Sequence, residues 1–318
     1  MPRAVQSQSN LHGALCAIGA AFCFSFNDLG IKLVSDDYAV HQVVLIRSLV
    51  GMAAFLTIIM PLSGGLRVLR TSRPGAHVAR GFCIVIANTM LFLGLAALPI
   101  ADAVAIYFVS PMVIALFSVM FLKETVGPRR WAAIGIGFAG VLLVIKPGAT
   151  AFQVASLLPA FAAVFYAGLH TISRHIGDTE SAATMAFYIL VTFIFVSCGM
   201  GLLTGDGRFA GTGGPALDFL LRAWAPIDPS DWPVLIMLGL TGVAGGYLIG
   251  QAYRLAEAAY AAPFDYLAMI MAIIWGITVF NTWPDLLSWA GMMLILGSGL
   301  FLLWRETVKA RMAGRQTP

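Results

Sequence analysis

Two oppositely charged residues lie inside long apolar segments near the start of the chain. Asp28 stands about six residues before the end of the first apolar run, and Arg47 about six residues after the start of the second. If both runs are helices, a rise of about 1.5 Å per residue places both side chains roughly 9 Å below one boundary. Ionisable groups inside an apolar span are costly and are functional hypotheses by default. The pair is therefore predicted either to fix helix packing as a buried ion pair or to act as a gate or solute contact.

A second carboxylate, Asp265, lies a few residues inside a later apolar run and is followed by Tyr266. A carboxylate held in a low-dielectric site takes up a proton readily, which suits proton coupling. Arg254 and Glu257 lie near the end of the preceding run and are its candidate partners. Asp265 is therefore predicted to be a proton-coupling residue or, if it pairs with Arg254, an interfacial charge.

Aromatic and amide side chains on other runs could bind a flat organic molecule. His170 follows Tyr166 by one helical turn, so both would face the same side of a helix. A flat solute would stack on aromatic rings, and amides would supply hydrogen-bond donors and acceptors. Packing inside the bundle is the alternative for each of these residues. The predicted binding set is Tyr107, Tyr166, His170 and Tyr266, with Asn88 and Gln251 as amide contacts.

The elements that would position these residues are hydrophobic helices. Of 318 residues, 59% are hydrophobic and 11% charged, against roughly 25% charged in soluble domains. A bilayer span needs about 20 mostly apolar residues, and its backbone groups must pair internally, as in a helix. The fold class is therefore an all-α integral membrane protein with ten transmembrane helices. The predicted spans are 12–34, 41–61, 78–97, 101–122, 130–146, 153–173, 183–204, 232–253, 260–280 and 286–304.

Short turns with proline separate several of these runs, since proline stops a helix. They are 98–100, 146–148 and 283–285. One long connection, 205–231, is rich in Gly, Asp and Pro and is predicted to be a surface loop.

The distribution of basic residues predicts the orientation of the chain. If the N-terminus is cytoplasmic, the outer side receives only Lys32, Lys146, Arg208 and Arg222 of the 19 lysines and arginines. Arg47 lies within a span, and the remaining 14 fall on the inner side. By the positive-inside rule, both termini are expected in the cytoplasm, with tails 1–11 and 306–318, in an inner membrane.

Several other functions lack their sequence signals. The net charge of +4 is modest and spread over loops, so no nucleic-acid partner is predicted. The four cysteines form no CxxC or Cys/His cluster, and there is no Walker-type motif; neither a metal site nor a cofactor is expected. The sequence Gly135-Ile-Gly-Phe-Ala-Gly140 reads GxGxxG, but it lies within an apolar span and is predicted to serve close helix packing.

The two halves of the chain share a pattern. Residues 121–131 can be laid on 279–289 without a gap, and each stretch has a tryptophan that precedes a glycine-containing helix. Five spans per half is an odd number, so the second half would enter the membrane the other way up. Residues 12–146 and 153–305 are therefore predicted to form two inverted five-helix repeats, a design of secondary transporters with the solute site between the halves.

With these features the chain resembles the EamA branch of the drug/metabolite transporter superfamily over nearly its whole length. In the first half the resemblance is carried by Asn27-Asp28, Lys32, Arg47, Pro111, and Glu124 before Pro128. In the second half it is carried by residues 262–266 (Ala-Pro-Phe-Asp-Tyr), Pro284-Asp285 and residues 299–306. One departure is Thr282, at a position where the second repeat often has glutamate.

The resemblance implies a transporter rather than an enzyme. Its second-half pattern is most similar to bacterial uptake carriers for cofactor-like metabolites such as riboflavin or S-adenosylmethionine. The expected function is secondary transport of a small organic solute by alternating access, by a monomer or homodimer in the lipid bilayer. Export of amino acids or drugs by proton antiport is the alternative, and a membrane-embedded enzyme is the alternative from another class.

Overall fold

The computed structural model of the protein describes residues 3–122, 127–147, 153–176, 179–211, 213–255 and 262–313. All regular elements in these ranges are helical. The main helices are α1 (Arg3–Val34), α2 (Val40–Ala54), α3 (Pro74–Ala97), α4 (Ile100–Tyr107), α5 (Ser110–Leu122), α6 (Pro128–Ile145), α7 (Leu157–Ile176), α8 (Ala182–Thr204), α9 (Gly214–Leu221), α10 (Trp232–Leu255), α11 (Leu267–Thr278) and α12 (Leu286–Ala313).

Shorter helical elements extend or join the main helices. The α2 helix continues through a π-helical turn, Phe55–Ile59, into Met60–Leu62. Pro61 has no N–H for the carbonyl four residues earlier and its ring crowds that carbonyl, which accounts for the widened turn. The 3₁₀ elements are Gly65–Leu69, Val154–Ser156 and Ala262–Tyr266.

The predicted proline turns mark helix boundaries. Helix α3 ends at Ala97 and α4 begins at Ile100, on either side of Leu98-Pro99. Helix α6 ends at Ile145 before Pro147, and α12 begins at Leu286 after Pro284. Since these signals act locally, they were readable without any tertiary information.

Seven helical stretches are long and apolar enough to cross a membrane. They are Leu11–Val34, Val40–Leu62, Pro74–Ala97, Ile100–Phe121, Val154–Ser173, Ala182–Thr204 and Trp232–Ala252. Shorter apolar helices, Trp131–Ile145, Phe264–Thr278 and Leu286–Leu302, coincide with the other three predicted spans. The all-helical membrane fold is therefore confirmed for the described residues, and the count of ten spans stays a prediction.

Each half of the chain packs extensively on the other. Helix α1 runs along α10, α3 runs along α7, and α2 contacts both α8 and α10. Helix α4 contacts α11, and α6 runs along α12. Most of α4 is fully buried, so it lies at the centre of the bundle.

The bundle has two ends that differ in their connections. We call the end where α1 begins the tail end; it also holds residues 63–73 and 179–181. The opposite end, called the loop end, holds residues 35–39, 205–231 and 279–285. Residues 205–231, predicted to be a surface loop, include a helix that was not expected: α9 packs on α3, and its Phe219 is fully buried.

Candidate functional site

Arg47 on α2 is buried between the two halves of the chain. The residue is 8% exposed. Its guanidinium carbon lies 4.9 Å from the centre of the Phe92 ring on α3 and 5.0 Å from that of Phe193 on α8. A cation held between two ring faces in a desolvated site is stabilised by the ring quadrupoles. Arg47 Nη1 also donates to Asn27 Oδ1 at 3.3 Å, whereas Arg47 Nε has no hydrogen-bond partner in the described part of the chain.

Asn27 connects this cation to the second half. Its Nδ2 donates to the carbonyl oxygen of Leu238 on α10 at 3.1 Å, while its Oδ1 accepts from Arg47. Gly242, one turn further along α10, lies against the same two side chains, with an added Cβ about 3.7 Å from Asn27 Nδ2 and 3.9 Å from Arg47 Nη1. One hydrogen-bonded path therefore links α2, α1 and α10.

Asp28 is half-buried and interacts electrostatically with Arg47, but the two residues form no direct ion pair in the described residues. The predicted contact is taken instead by Asn27. Neighbouring residues on a helix point about 100° apart, so only one of the two side chains can meet the guanidinium directly. The buried ion pair, one of the two predicted roles of Asp28, is thus absent from this conformation.

The structure brings three predicted aromatic residues together. The Tyr107 and Tyr166 ring centres are 5.4 Å apart, and those of Tyr166 and His170 are 4.4 Å apart in an edge-to-face arrangement. All three residues are half-buried. Tyr107 also interacts electrostatically with Asp28, and Tyr166 with Asp265. Tyr107 comes from the first half and the other two from the second, so this aromatic group, like Arg47, lies where the halves meet.

Tyr266 lies at the edge of that group. Its ring centre is 5.2 Å from that of Phe108, the residue after Tyr107. The side chain is 3% exposed, and its hydroxyl is buried against Gly299 of α12, where a Cβ would have no room. Tyr266 Oη has no hydrogen-bond partner in the described residues. The sequence predicted that Tyr266 contacts the solute. Its placement favours the alternative, packing against α12.

The two predicted amides occupy different depths. Asn88 on α3 is half-buried and precedes Phe92 by one turn, so it lies on the face of α3 that reaches Arg47. Gln251 is half-buried near the tail end of α10, and the adjacent Gly250 lies against Ala182 at the start of α8. Asn88 therefore lies on the helix face that contacts the central group, whereas Gln251 lies nearer the tail end. The side chain of Arg254, and residues Glu124 and Glu257, lie outside the described residues.

A second buried arginine, Arg80, was missed as a site residue by sequence reasoning. It was counted among the basic residues of the inner side because the third span was predicted to begin at 78. The helix begins at Pro74, which places Arg80 about two turns inside it. The residue is 5% exposed; Nε donates to Ser173 Oγ at 2.8 Å, and Nη1 lies 3.5 Å from the Met185 carbonyl oxygen. Pro74 as a helix-start signal could have revealed it.

Glu180 organises the contacts between the halves at the tail end. Its Oε1 accepts hydrogen bonds from Thr71 Oγ1 at 2.9 Å and from the Ser72 backbone N–H and hydroxyl, each at 3.1 Å. Its Oε2 lies 3.3 Å from His77 Nε2, and the His77 ring stacks on Tyr188. Burial by itself would raise the pKa of the Glu180 carboxyl, but the hydrogen bonds from Thr71, Ser72 and His77 bring it below its ordinary value. We call these residues the Glu180 cluster.

Replacing Glu180 with glutamine is expected to destabilise the protein by about 1–2 kcal/mol at neutral pH, because the charge-assisted hydrogen bonds are lost. A carboxyl whose pKa is lowered on folding contributes stability above its unfolded pKa, near 4.5, and that contribution is lost as pH falls through the lower folded pKa. Thermal unfolding in detergent between pH 7 and pH 3 should therefore show wild type and Glu180→Gln converging as the pH falls below about 4.5. Asp206→Asn, an exposed carboxylate at the loop end, is the control; an equal loss in both variants would contradict the assignment.

The loop end also joins the two halves through polar contacts. Tyr38 donates to Asp231 and accepts from the Asp228 backbone N–H. The hydrogen bond to the Asp231 carboxylate raises the pKa of the Tyr38 hydroxyl. Gln42 makes a reciprocal pair with the backbone of Ala225, at 2.6 Å and 3.1 Å.

A second loop-end contact joins the end of α6 to the start of α12. Lys146 forms an ion pair with Asp285 and lies 3.3 Å from Ser288 Oγ. The Lys146 hydrogen bond, together with the Ser288 backbone N–H, holds the pKa of the Asp285 carboxyl below its usual range. Both ends of the bundle thus carry hydrogen-bonded contacts between residues of different halves.

No group of three or more His, Cys, Asp or Glu side chains in the described ranges is placed to hold a metal ion. The groups available for binding at the boundary between the halves are two buried guanidinium groups, aromatic ring faces and amides. Such an arrangement can bind and release an organic molecule.

The apolar bundle and this inter-half site define a multi-pass membrane protein. The model of the EamA-like transporter family matches residues 11–146 and again residues 153–304. The chain belongs to this family, in the drug/metabolite transporter superfamily, and is a membrane transporter. The resemblance noted from sequence is therefore confirmed, and both family and relatives indicate a transporter rather than an enzyme.

Curated relatives include proteins named riboflavin transporter and S-adenosylmethionine uptake transporter. The chain is 31% identical over 262 residues to a riboflavin transporter of Brucella anthropi, covering 82% of this chain and 88% of that protein. It is 28% identical over 242 residues to an S-adenosylmethionine uptake transporter of Rickettsia bellii, covering 76% and 77%. A crystal structure with 18% sequence identity shares the fold with a TM-score of 0.63, covering 92% of this chain and 96% of the other.

Proposed function

We propose that this protein is a secondary active transporter that takes up a cofactor-like metabolite, such as riboflavin or S-adenosylmethionine, across the inner membrane by alternating access. The observation that carries the proposal is Arg47, a buried cation between Phe92 of the first half and Phe193 of the second, with an N–H left unpaired. A buried donor without a partner costs free energy unless a ligand pairs with it. A solute with an acceptor oxygen would supply that partner.

The architecture we propose is two inverted five-helix repeats, 12–146 and 153–305, with ten spans. Helix pairing supports it. If each span of the first half corresponds to the span five positions later, α1 corresponds to α7 and α3 to α10. The long contact of α1 with α10 then has its equivalent in the contact of α3 with α7, and both are present. The α6–α12 and α2–α8 contacts pair equivalent helices with each other, as a two-fold relation requires.

Contacts between the halves at both ends suit alternating access. The Glu180 cluster joins them at the tail end, and the Tyr38 and Gln42 contacts join them at the loop end. We place the tail end in the cytoplasm on the basis of the positive-inside rule. Opening one set of contacts while the other holds would expose the Arg47 region to one side at a time.

The aromatic group favours a flat solute. Tyr107, Tyr166 and His170 offer ring faces and edges within one cluster, and Asn88 offers an amide. Aromatic pairs of this kind are favourable by about 0.5–1.5 kcal/mol each beyond burial. Riboflavin and S-adenosylmethionine, the solutes in the names of the relatives, each contain a flat heteroaromatic ring, which agrees with this aromatic lining.

Uptake by proteoliposomes tests the proposal, with riboflavin and S-adenosylmethionine offered separately and protein-free vesicles as control. Accumulation of either solute is expected, and a solute gradient or an imposed proton gradient should drive it. Absence of accumulation of both, with proton-driven extrusion of an amino acid or drug, would favour the exporter alternative.

We further assign proton coupling to Asp265, so Asp265→Asn should change the pH dependence of uptake; an unchanged pH profile would remove Asp265 from coupling.

A further inference from the structure

Arg80 carries a positive charge in the membrane-spanning part of α3, and its hydrogen-bond partners among the described residues are neutral. Its contacts are the Ser173 hydroxyl on α7 and the Met185 carbonyl on α8, and no carboxylate forms an ion pair with it in the described residues. A buried charge without a counter-charge is expensive, and arginine in a membrane span typically faces a ligand path or a partner. The site is therefore suited to a ligand acceptor group that completes it.

His170 lies next to this arginine. It stands on α7, three residues before Ser173, so both side chains share one helix face. The His170 and Arg80 side chains interact electrostatically. The His170 ring also contacts Tyr166, which in turn contacts Tyr107. The aromatic group therefore interacts electrostatically with Asp28 through Tyr107 and with Arg80 through His170.

Arg80 is separated from Arg47 along the bundle. Phe92, which contacts Arg47, is 12 positions after Arg80 on α3, a rise of about 18 Å at 1.5 Å per residue. One small functional group cannot bridge that distance. The two buried guanidinium groups thus lie at two depths of the boundary between the halves.

We infer that Arg80 and His170 form a second binding station, on the tail-end side of the Arg47 site, for a carbonyl, carboxylate or phosphate oxygen of the transported solute. The inference rests on the proposed function. Arginine suits such oxygens because its planar guanidinium donates several hydrogen bonds in a fixed geometry.

The Glu180 cluster covers this station toward the tail end. His77 precedes Arg80 by three residues on α3 and contacts Glu180, while Ser173 and Met185 flank the connection that carries Glu180. When that cluster separates, Arg80 is the first of the two buried arginines that a solute meets from the tail end. The station should therefore set the affinity measured from that side.

The test compares transport of riboflavin from the two faces, in whole cells and in inside-out membrane vesicles, for wild type and Arg80→Gln. Removing a buried charged donor should raise KM at the tail-end face about tenfold, while KM at the loop-end face changes less than about twofold. The KM of Arg80→Lys at the tail-end face should lie between those of wild type and Arg80→Gln, because lysine keeps the charge but lacks the planar set of guanidinium donors. Arg129→Gln, an exposed arginine at the tail end, is the matched control and should behave as wild type.

Arg80→Lys keeps the test decisive if Arg80→Gln fails to fold, since it retains the buried charge and should raise KM at the same face by about threefold. Equal KM changes at both faces, or a lower melting temperature with unchanged KM, would mean a structural role and overturn the inference. Riboflavin transport absent from wild type in both preparations would instead overturn the proposed riboflavin function, and the station with it. Sided KM changes in a transporting protein are the supporting result.

Discussion

Arg47→Gln is expected to lower kcat/KM for riboflavin uptake about 100-fold, the largest functional effect of a single substitution in this protein. The guanidinium carbon lies 4.9 Å and 5.0 Å from two ring centres and Nη1 bonds Asn27. A hydrogen bond from this charged group to a solute acceptor is worth about 1.5–3 kcal/mol, with the upper end expected in a desolvated site. A loss of roughly 3 kcal/mol in transition-state stabilisation corresponds to a factor of about 100. Initial uptake rates over a range of concentrations provide the measurement.

Two further variants show whether the charge or the geometry of Arg47 matters. Arg47→Lys keeps the charge but cannot lie flat between both rings while it bonds Asn27, so a loss of about tenfold is expected. Arg208→Gln removes an exposed arginine whose contacts among the described residues are with Asp206 and Phe209, and it should leave uptake unchanged. Uptake by Arg47→Gln within about threefold of wild type would show that the solute does not use this cation.

Gly140→Val is expected to cost about 3 kcal/mol of stability, because α6 and α12 cross there with no space for a side chain. A Cβ on Gly140 would lie 2.8 Å from the Gly291 carbonyl oxygen, and a Cβ on Gly291 would lie 2.6 Å from that of Gly140. The obstacle is backbone on both sides, so a rotamer change cannot relieve the clash. Thermal unfolding in detergent should show a melting temperature lower by several degrees and less monodisperse protein.

Gly135→Val provides the matched control on the same helix. A Cβ on Gly135 would meet nothing within 4 Å, so this variant should unfold at nearly the temperature of wild type. Gly297→Val gives the same comparison on α12, where the space is also free. If Gly140→Val and Gly135→Val unfold at the same temperature, the close crossing does not contribute to stability.

Local sequence signals predicted the helices and most of their ends. The proline turns at 98–100 and 283–285 fall between helices as expected. The apolar content predicted a membrane fold, and the residue pattern predicted the EamA-like family, which the family match confirms. Two boundary predictions were wrong. Helix α3 begins four residues before its predicted span, and the predicted loop 205–231 contains the helix α9.

The candidate site depended on helix rotation, which the sequence does not specify. Asp28 and Arg47 were predicted to lie at one depth, but the side chain that meets Arg47 is that of Asn27. A rotation of about 100° decides between such neighbours, and it is set by packing across α1, α2 and α10. Tyr266 was predicted, with Tyr107 and Tyr166, to stack on a flat solute, whereas its contact with Gly299 places it against α12.

The sequence by itself determined that this chain is a helical membrane protein and which positions of its apolar spans carry polar residues. Hydrophobic length and proline turns are properties of neighbouring residues, and they act before any tertiary contact forms. Only the tertiary structure decided that Arg80 is buried beside Ser173, that Arg47 lies between Phe92 and Phe193, and that Glu180 joins the halves at one end. Those contacts join residues far apart in the chain, so they follow from how helices cross and turn rather than from the order of the residues.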